Sequence, residues 1–391
     1  MFGYKHPLII QSATKIFSES GFFVSVPTKA LLDCSEKLVE NFKLPFWRFT
    51  NSGTEATLDA IRLSRARYGR DYIIKVESGY HGHHDSVWIS IHAGERDDGA
   101  EIPSTPFCSG IPAASSSLTL VAEFNNLKHV QNYIDRYPDQ IACVIVEPVL
   151  LNCSMIKPIN GYLQSLIDLC RPLGIAVIFD IVKLNTAVSF KNISQFWDSS
   201  KEGPDMFTLG KGLSGGACPI GAIGMTKEFA DLIESFSAQV SGTYNGNSFA
   251  MGMVRTVQNY VTEEKQAELE ALSRYMYEGC KEIVASAGLN AIVDYLGNKG
   301  CITFLKKGVR LEAVTHYQEY IRNVDLVLEQ LFVFFNLNRG CWIQPRDEWS
   351  ISYQHTKADA DKYLENLALF CDAVKGLEHE EGASTVMQFA P

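Results

Sequence analysis

The chain has 391 residues, 46% of them hydrophobic and 20% charged; 35 lysines and arginines stand against 45 aspartates and glutamates, a formal net charge of −10. That length supports two or more domains with sizeable cores, and the composition is that of a soluble globular protein. The acidic balance argues against a nucleic-acid surface, and no apolar run reaches the roughly eighteen residues of a membrane span, so neither nucleic acid nor membrane is expected as a partner.

Ten cysteines are scattered singly from Cys34 to Cys371 with no CxxC pair, which fits reduced thiols and a cytoplasmic location. The first residues, MFGYKHPLIIQSATKIF, lack the basic start, apolar middle and small-residue cleavage site of a signal peptide. There is no internal repeat and no low-complexity tract.

In chain order, the first informative stretch is SGTEATLDAIRLSRARYGR, Ser52 to Arg70. A small, hydroxyl-bearing turn opens a helical pattern that puts Ala60, Leu63 and Ala66 on one face. The first turn of a helix has unpaired N–H groups and about half a positive charge. Gly53 permits close approach, Ser52 and Thr54 add hydroxyls, and phosphate is the usual guest at such a place. A plain helix cap by Ser52 or Thr54 explains the same residues.

Four apolar runs rich in β-branched residues follow: DYIIKVES, LTLVAEF, IACVIVEPV and GIAVIFDIV. Each is expected as a buried strand, with helices over LKHVQNYIDRYP and YLQSLIDLCRPL between them. This alternation predicts an α/β fold, a mostly parallel sheet covered by helices on both faces. Ligands of such sheets bind beyond the carboxyl ends of the strands. Residues 93–116, rich in Gly, Pro and Ser, are expected as a long surface loop of the kind that carries function. From about Tyr260 the texture changes to a long helix (EEKQAELEALSRYMYEGCKEIVASAG), short strands such as KGCITFLKK, and an amphipathic helix in ADADKYLENLALFCDAVKGL. A second, smaller α+β domain is expected there, ending in a loose tail.

Chemistry-bearing residues gather in the middle region, most of them at strand ends. They are the SGT turn; GYHGHHD, with Tyr80 and His81; VEPVLLN, with Glu147 and Asn152; Asp180; and TLGKGLSGG, with Lys211 placed 31 residues beyond Asp180. A lysine in a partly desolvated pocket has a lowered pKa and a usable amine. An amine nucleophile, a phosphate turn and a strand-end carboxylate together point to pyridoxal 5'-phosphate (PLP). Lys211 would form the Schiff base, Asp180 would pair with the ring nitrogen, and Tyr80 would cover a ring face. The alternatives are a solvated surface lysine, an aspartate capping the next turn, and ordinary loop residues at Tyr80 and His81; Glu147 reads equally well as structural. The run His81, His83, His84 and Asp85 lacks a convincing remote ligand, and no metal is expected.

The stretches RFTNSGTEATLDAIRLSRARYGRDYIIKVESGYHGHHDS, VIVEPVLLN, IFD, PDMFTLGKGLSGGACPIGAIG and GTYNGN occur in this order. Together they resemble the class III aminotransferases, which are fold type I PLP-dependent transferases, and among them the glutamate-1-semialdehyde aminomutase branch most. The resemblance runs from about His6 to SISYQHTKADAD. It implies that Lys211 is the Schiff-base lysine and proton carrier, and that Asp180 is the partner of the pyridine nitrogen. It implies Val182 under the ring, Tyr80 over it and His81 beside it. Gly53 and Thr54, next to Ser52, become phosphate ligands, and Asn152 lies near the phenolic oxygen with Glu147 behind. Thr243 is similar to a threonine that reaches the phosphate of a neighbouring subunit, which implies a homodimer with shared active sites. The implied division is an N-terminal segment (1–45) joining the small domain and dimer contacts, a large PLP-binding domain (46–255) and a small domain (256–391).

Two departures accompany the resemblance. After Asp180 the family usually has glutamate, valine, a variable residue and then Thr-Gly-Phe-Arg. Here Ile181 replaces the acid, and Leu184, Asn185, Thr186 and Ala187 replace the last four. The chain also begins well into the family's usual N-terminal segment. The expectation is an aminotransferase with an intact cofactor shell and a rebuilt acceptor side, acting in specialised biosynthesis on a small-molecule amino donor and a carbonyl acceptor, the latter free or tethered to a carrier protein. An aminomutase or racemase on the same cofactor, and a non-catalytic binding homologue, are the alternatives.

Overall fold

The four apolar runs become the centre of a seven-stranded sheet in a computed structural model that describes residues 1–97, 100–186, 190–198, 200–344 and 348–375. Ala187 and the C-terminal tail lie outside the described residues. The strands are β1 (Phe46–Thr50), β2 (Tyr72–Val76), β3 (Thr119–Ala122), β4 (Ile141–Val146), β5 (Ala176–Asp180), β6 (Met206–Leu209) and β7 (Gly221–Met225). Their order is β1-β7-β6-β5-β4-β2-β3. The run from β3 to β6 pairs in parallel, and β7 is antiparallel to both β6 and β1. Every residue of β4 and β5 is buried, which is why these strands read as continuous apolar runs and not as alternation. β6 and β7 gave weaker signals. MFTL is only four residues long, and GAIGM carries two glycines, which depress strand propensity.

The covering helices are α1 (Pro7–Glu19), α2 (Lys29–Phe42), α3 (Gly53–Tyr68), the single turn α4 (Ala113–Ser116), α5 (Leu127–Arg136), α6 (Tyr162–Cys170), α7 (Lys227–Glu234) and α8 (Ser248–Tyr260). α3 lies across the sheet with Ala56, Ala60 and Leu63 buried. Ala66, expected on the same face, is exposed. Steps of three residues drift about 60° per step around a helix, so a second step from Ala60 leaves the buried stripe. Residues 93–116 are not wholly a surface loop. Ile102 is buried in a small cluster with Ile89 and Val121, and Pro106 bridges to Ile89. Arg96 pairs with Glu77 at 3.1 Å and Glu123 at 3.2 Å, tying the segment over the ends of β2 and β3.

The texture change after Tyr260 marks a second sheet. β8 (Ala291–Leu296), β9 (Lys299–Phe304) and β10 (Glu348–Ser350) form an antiparallel sheet in the order β10-β9-β8. Around it pack α9 (Glu263–Ala287), α10 (Tyr317–Asn323), α11 (Leu326–Asn338) and α12 (Lys357–Ala373). Phe304, Phe332, Leu367 and Phe370 lie in its core. Thr356 and Asp359 close a reciprocal capping box at the start of α12. The two sheets are joined by Lys157 to Asp294 at 2.6 Å and Lys183 to Glu348 at 2.5 Å. All ten cysteines are free thiols. No helix among the described residues is long and apolar enough to cross a membrane.

Candidate active site

The carboxyl ends of β4, β5 and β6 open into a cavity of about 750 Å³. Parallel strands bring their ends to one edge, and the first polar residues beyond each strand face that edge. Thus β4 delivers Glu147, β5 ends on Asp180, and β6 runs through Gly210 into Lys211. All three line the cavity.

At the start of α3, Ser52 accepts a hydrogen bond from the Glu55 amide at 3.1 Å, so its hydroxyl is the helix cap. Gly53 and Thr54 line the cavity, and their amides belong to the first turn, whose N–H groups have no partner within the helix. Val182 is packed against this turn. A Cβ on Gly53 would sit 2.9 Å from one Val182 methyl, and a Cβ on Gly210 3.2 Å from the other. The two glycines thus let Val182 press between the turn and the lysine segment, fixing an apolar surface on the cavity wall.

Asp180 is buried at the end of β5. One carboxylate oxygen accepts the Val182 amide at 3.0 Å, and the other meets His81 Nδ1 at 2.9 Å. Each oxygen keeps lone-pair capacity for a further donor. His81 is fully buried; burial lowers its pKa, against the opposing pull of Asp180. A neutral ring donating from Nδ1 to Asp180 follows, and its Nε2 is buried with no hydrogen-bond partner. His84, half-buried, is held down to about 3, chiefly by desolvation and then by the neighbouring His81. The His83 ring lies against Trp88, 6.0 Å between centroids. These histidines therefore serve separate local contacts.

Glu147 is buried and accepts the Tyr80 backbone amide at 2.9 Å, which fixes Tyr80 at the cavity mouth. Burial, with the Asp180 charge second, raises the Glu147 carboxyl to about 7. Tyr80 is 39% exposed and lines the cavity. Lys211 has φ +48°, a left-handed conformation that non-glycine residues seldom adopt. Asn185 supports the segment by donating to the Gly210 carbonyl at 3.3 Å. The exposed area of Lys211 belongs to a side chain on the cavity wall. Desolvation there draws its amine below the usual lysine pKa, although Asp180 and Glu147 pull the other way.

Of the residues singled out in the sequence, Gly53, Thr54, Tyr80, His81, Asn152, Asp180, Val182 and Lys211 share one cavity. Ser52 stands behind the turn as its cap. Thr243 is exposed, outside the lining of this cavity. Sequence reasoning did not single out Lys183, Lys299, Gln344, Glu348 and Ser350, which complete the wall, nor the aromatic pair Trp88 and Phe107, stacked at 5.1 Å on its rim. A lysine heading the otherwise apolar strand KGCITF was the one available signal for Lys299.

Comparison with known proteins gives concordant matches. The family described as aminotransferase class-III matches residues 1–316. A glutamate-1-semialdehyde 2,1-aminomutase from Sulfurihydrogenibium sp. (strain YO3AOP1) is 34% identical over 310 residues, covering 78% of this chain and 70% of that protein. Among solved structures, an omega-transaminase from Sphaerobacter thermophilus superposes with TM-score 0.85 at 25% identity, covering 96% of this chain and 84% of the other. A variant glutamate-1-semialdehyde-aminomutase from Pseudomonas aeruginosa PAO1, in complex with PMP, superposes with TM-score 0.84 at 22% identity over 96% and 82% of the two chains.

Proposed function

The chain belongs to the class III aminotransferase family, and on that premise we propose that it is a PLP-dependent aminotransferase working through Lys211. The observation that carries the reading is the convergence of three groups on one cavity: the Lys211 amine, the Asp180 carboxylate and the open first turn of α3. The residues present fit the cofactor. The Gly53 and Thr54 amides form an anion cradle suited to its phosphate. Asp180 has acceptor capacity for a ring N–H. Val182, pinned by Gly53 and Gly210, offers a flat apolar contact on one ring face, with Tyr80 on the other. When bound, PLP supplies an aldehyde that condenses with amines and a ring that draws off an electron pair.

The remaining work falls to this chain's own side chains. Asp180 keeps the ring nitrogen charged, and His81 orients Asp180 by donating to its second oxygen. With the cofactor held there, Lys211 Nζ would be the group that takes a proton from the donor's amine-bearing carbon and carries it within the site; its depressed pKa favours the neutral amine that this requires. We also assign the cofactor unit to residues 46–255 and the smaller unit to 256–391, with residues 1–45 joining the small domain and dimer contacts. We assign the active form to a homodimer. Thr243 adjoins exposed Tyr244, whose ring lies 6.1 Å from exposed Phe22, an apolar surface of the kind two copies cover. Ile181 and Leu184, which replace polar family residues, are buried in the hydrophobic core and lie outside the lining of the cavity; the departures from the family pattern after Asp180 motivate an acceptor from specialised biosynthesis, free or carrier-tethered.

The test is spectral. Cofactor-loaded protein should absorb at the violet edge of the visible range, an amino donor should bleach that band, and an oxo acid should restore it. A band that no donor changes contradicts the proposal. Similarity to an aminomutase favours one second reading, intramolecular amino transfer. Net transfer to an added oxo acid excludes that as the sole activity.

A further inference from the structure

One buried cation takes no part in the reaction outlined above. Lys75 sits inside the parallel sheet, opposite Val121 of β3 on one side and Ile145 of β4 on the other, and Ile145 is in turn opposite Ile178 of β5. Neighbours in register share a face of a sheet, and so do residues two apart along a strand. The next step toward the carboxyl edge on this face therefore aligns Glu123, Glu77, Glu147 and Asp180. Four adjacent strands each supply one acid, Asp180 from the last position of β5 and the others from the residue just beyond β3, β2 and β4. Lys75 lies one step behind that row, with 0% of its surface exposed.

Carboxylates so close together need donors and cations to stay ionised. Arg96 answers Glu77 at 3.1 Å and Glu123 at 3.2 Å, and Gln318 donates to Glu77 at 3.0 Å. His81 and the Val182 amide answer Asp180. Asp59 of α3, which packs over β4, has its own partner in Arg62. Glu147 accepts the Tyr80 amide at 2.9 Å, and the cations that act on it stand further off: Lys75 behind it, Lys183 and Lys211 toward the cavity. Lys183 is committed to Glu348 at 2.5 Å, and Lys211 is the amine the proposed reaction employs. Lys75 is anchored by donating to the Ile89 carbonyl at 2.5 Å. Burial pulls its pKa down, while Glu147 and then Glu77 pull it up.

We infer that Lys75 is a positioning residue for the reaction: the buried countercharge that lets Glu147 stay a carboxylate beside Asp180 and, through the Tyr80 amide, fixes the aromatic side of the cavity. Loss of this charge would admit a proton to Glu147, and a neutral carboxyl holds an amide less strongly than a carboxylate does. The charge balance stands apart from the aminotransferase reading, and only its effect on turnover rests on that reading.

The experiment is a pH titration of cofactor-free protein by infrared spectroscopy, with the protonated-carboxyl stretch as the probe. Removing a nearby positive charge strengthens a carboxyl's hold on its proton, so Glu147 in Lys75→Met should ionise at about tenfold lower proton concentration than in the wild type. Glu147→Gln should delete the titrating band, which assigns it. In cofactor-loaded protein, the acid limb of the pH profile for donor bleaching should move to higher pH in Lys75→Met, and Lys75→Met/Glu147→Gln, which removes both charges, should lose that displacement. A lysine that only ties β2 to Ile89 would lower the melting temperature and leave both titrations unmoved. Should Lys75→Met fail to fold, Glu147→Gln alone carries the test: the Lys75 amine, followed by its nitrogen resonance, should give up its proton at about tenfold higher proton concentration than in the wild type. An unmoved Glu147 band in Lys75→Met, a displacement that persists in the double variant, or an unmoved Lys75 resonance in Glu147→Gln overturns the inference. A displaced Glu147 band in a protein whose cofactor band no donor changes would overturn the aminotransferase reading and leave the charge balance standing.

Discussion

Lys211 and Lys299 face one cavity from opposite sheets, and the same side chain meets opposite surroundings. Lys211 follows the parallel sheet's β6 with no ion-pair partner among the described residues, in a left-handed backbone setting, its amine drawn down by desolvation. Lys299 begins β9 of the small sheet and is clamped by Glu348 and Ser350. Burial depresses both. On the proposed function the Lys211 amine is the nucleophile and proton carrier, whereas Lys299 is locked to a carboxylate. The two differ in partnership and in exposure: Lys211 is exposed on the cavity wall and Lys299 is buried.

The comparison breaks most visibly at Lys211. Lys211→Ala should lower transamination by roughly 10²–10⁴-fold or more, with the fold retained by circular dichroism; near-normal turnover would remove the distinction altogether. Asp180→Asn should come next, with a fall on the order of 10²–10³-fold in turnover and weaker cofactor retention on dialysis. That variant takes the charge from the proposed ring-nitrogen site and disturbs the His81 contact.

A third lysine sharpens the contrast. Lys75 is fully buried in β2, donates to the Ile89 carbonyl at 2.5 Å, and is pushed down to about 7 by desolvation, with Glu147 and Glu77 opposing. Its folded pKa lies below the unfolded value near 10.5. Between pH 7 and 10.5 the unfolded chain therefore binds more protons, and this group's contribution to stability rises with pH across that window. The rise is on the order of several kcal/mol, and Lys75→Met should flatten it in urea unfolding followed from pH 7 to 10. At the far end, Lys357 pairs with Asp361 at 2.9 Å on an exposed face of α12. Lys357→Ala should leave the urea midpoint essentially unchanged, because a solvent-screened surface pair contributes little.

The sequence disclosed one side of this contrast and hid the other. Asp180 and Lys211 were legible because their signals are local: a carboxylate ending a continuous apolar strand, and a lysine between two glycines. The central strands β2 to β5 were legible for the same reason. The role of Ser52 was ambiguous because a cap and a phosphate turn use the same residues, and only geometry shows its hydroxyl committed to Glu55. Lys183, Lys299 and Glu348 were silent. They converge from segments up to 165 residues apart, and Glu348 lies on a strand of three residues with no periodicity to read. Pairing between two sheets is a tertiary event that no window of sequence contains.

Borohydride reduction of cofactor-saturated protein, followed by peptide mass mapping, tests the division of labour most directly. The account predicts one reduced pyridoxyl adduct, on the peptide carrying Lys211, with Lys75, Lys183 and Lys299 unmodified. An adduct on any of those three, or none in protein shown to hold the cofactor, would contradict it.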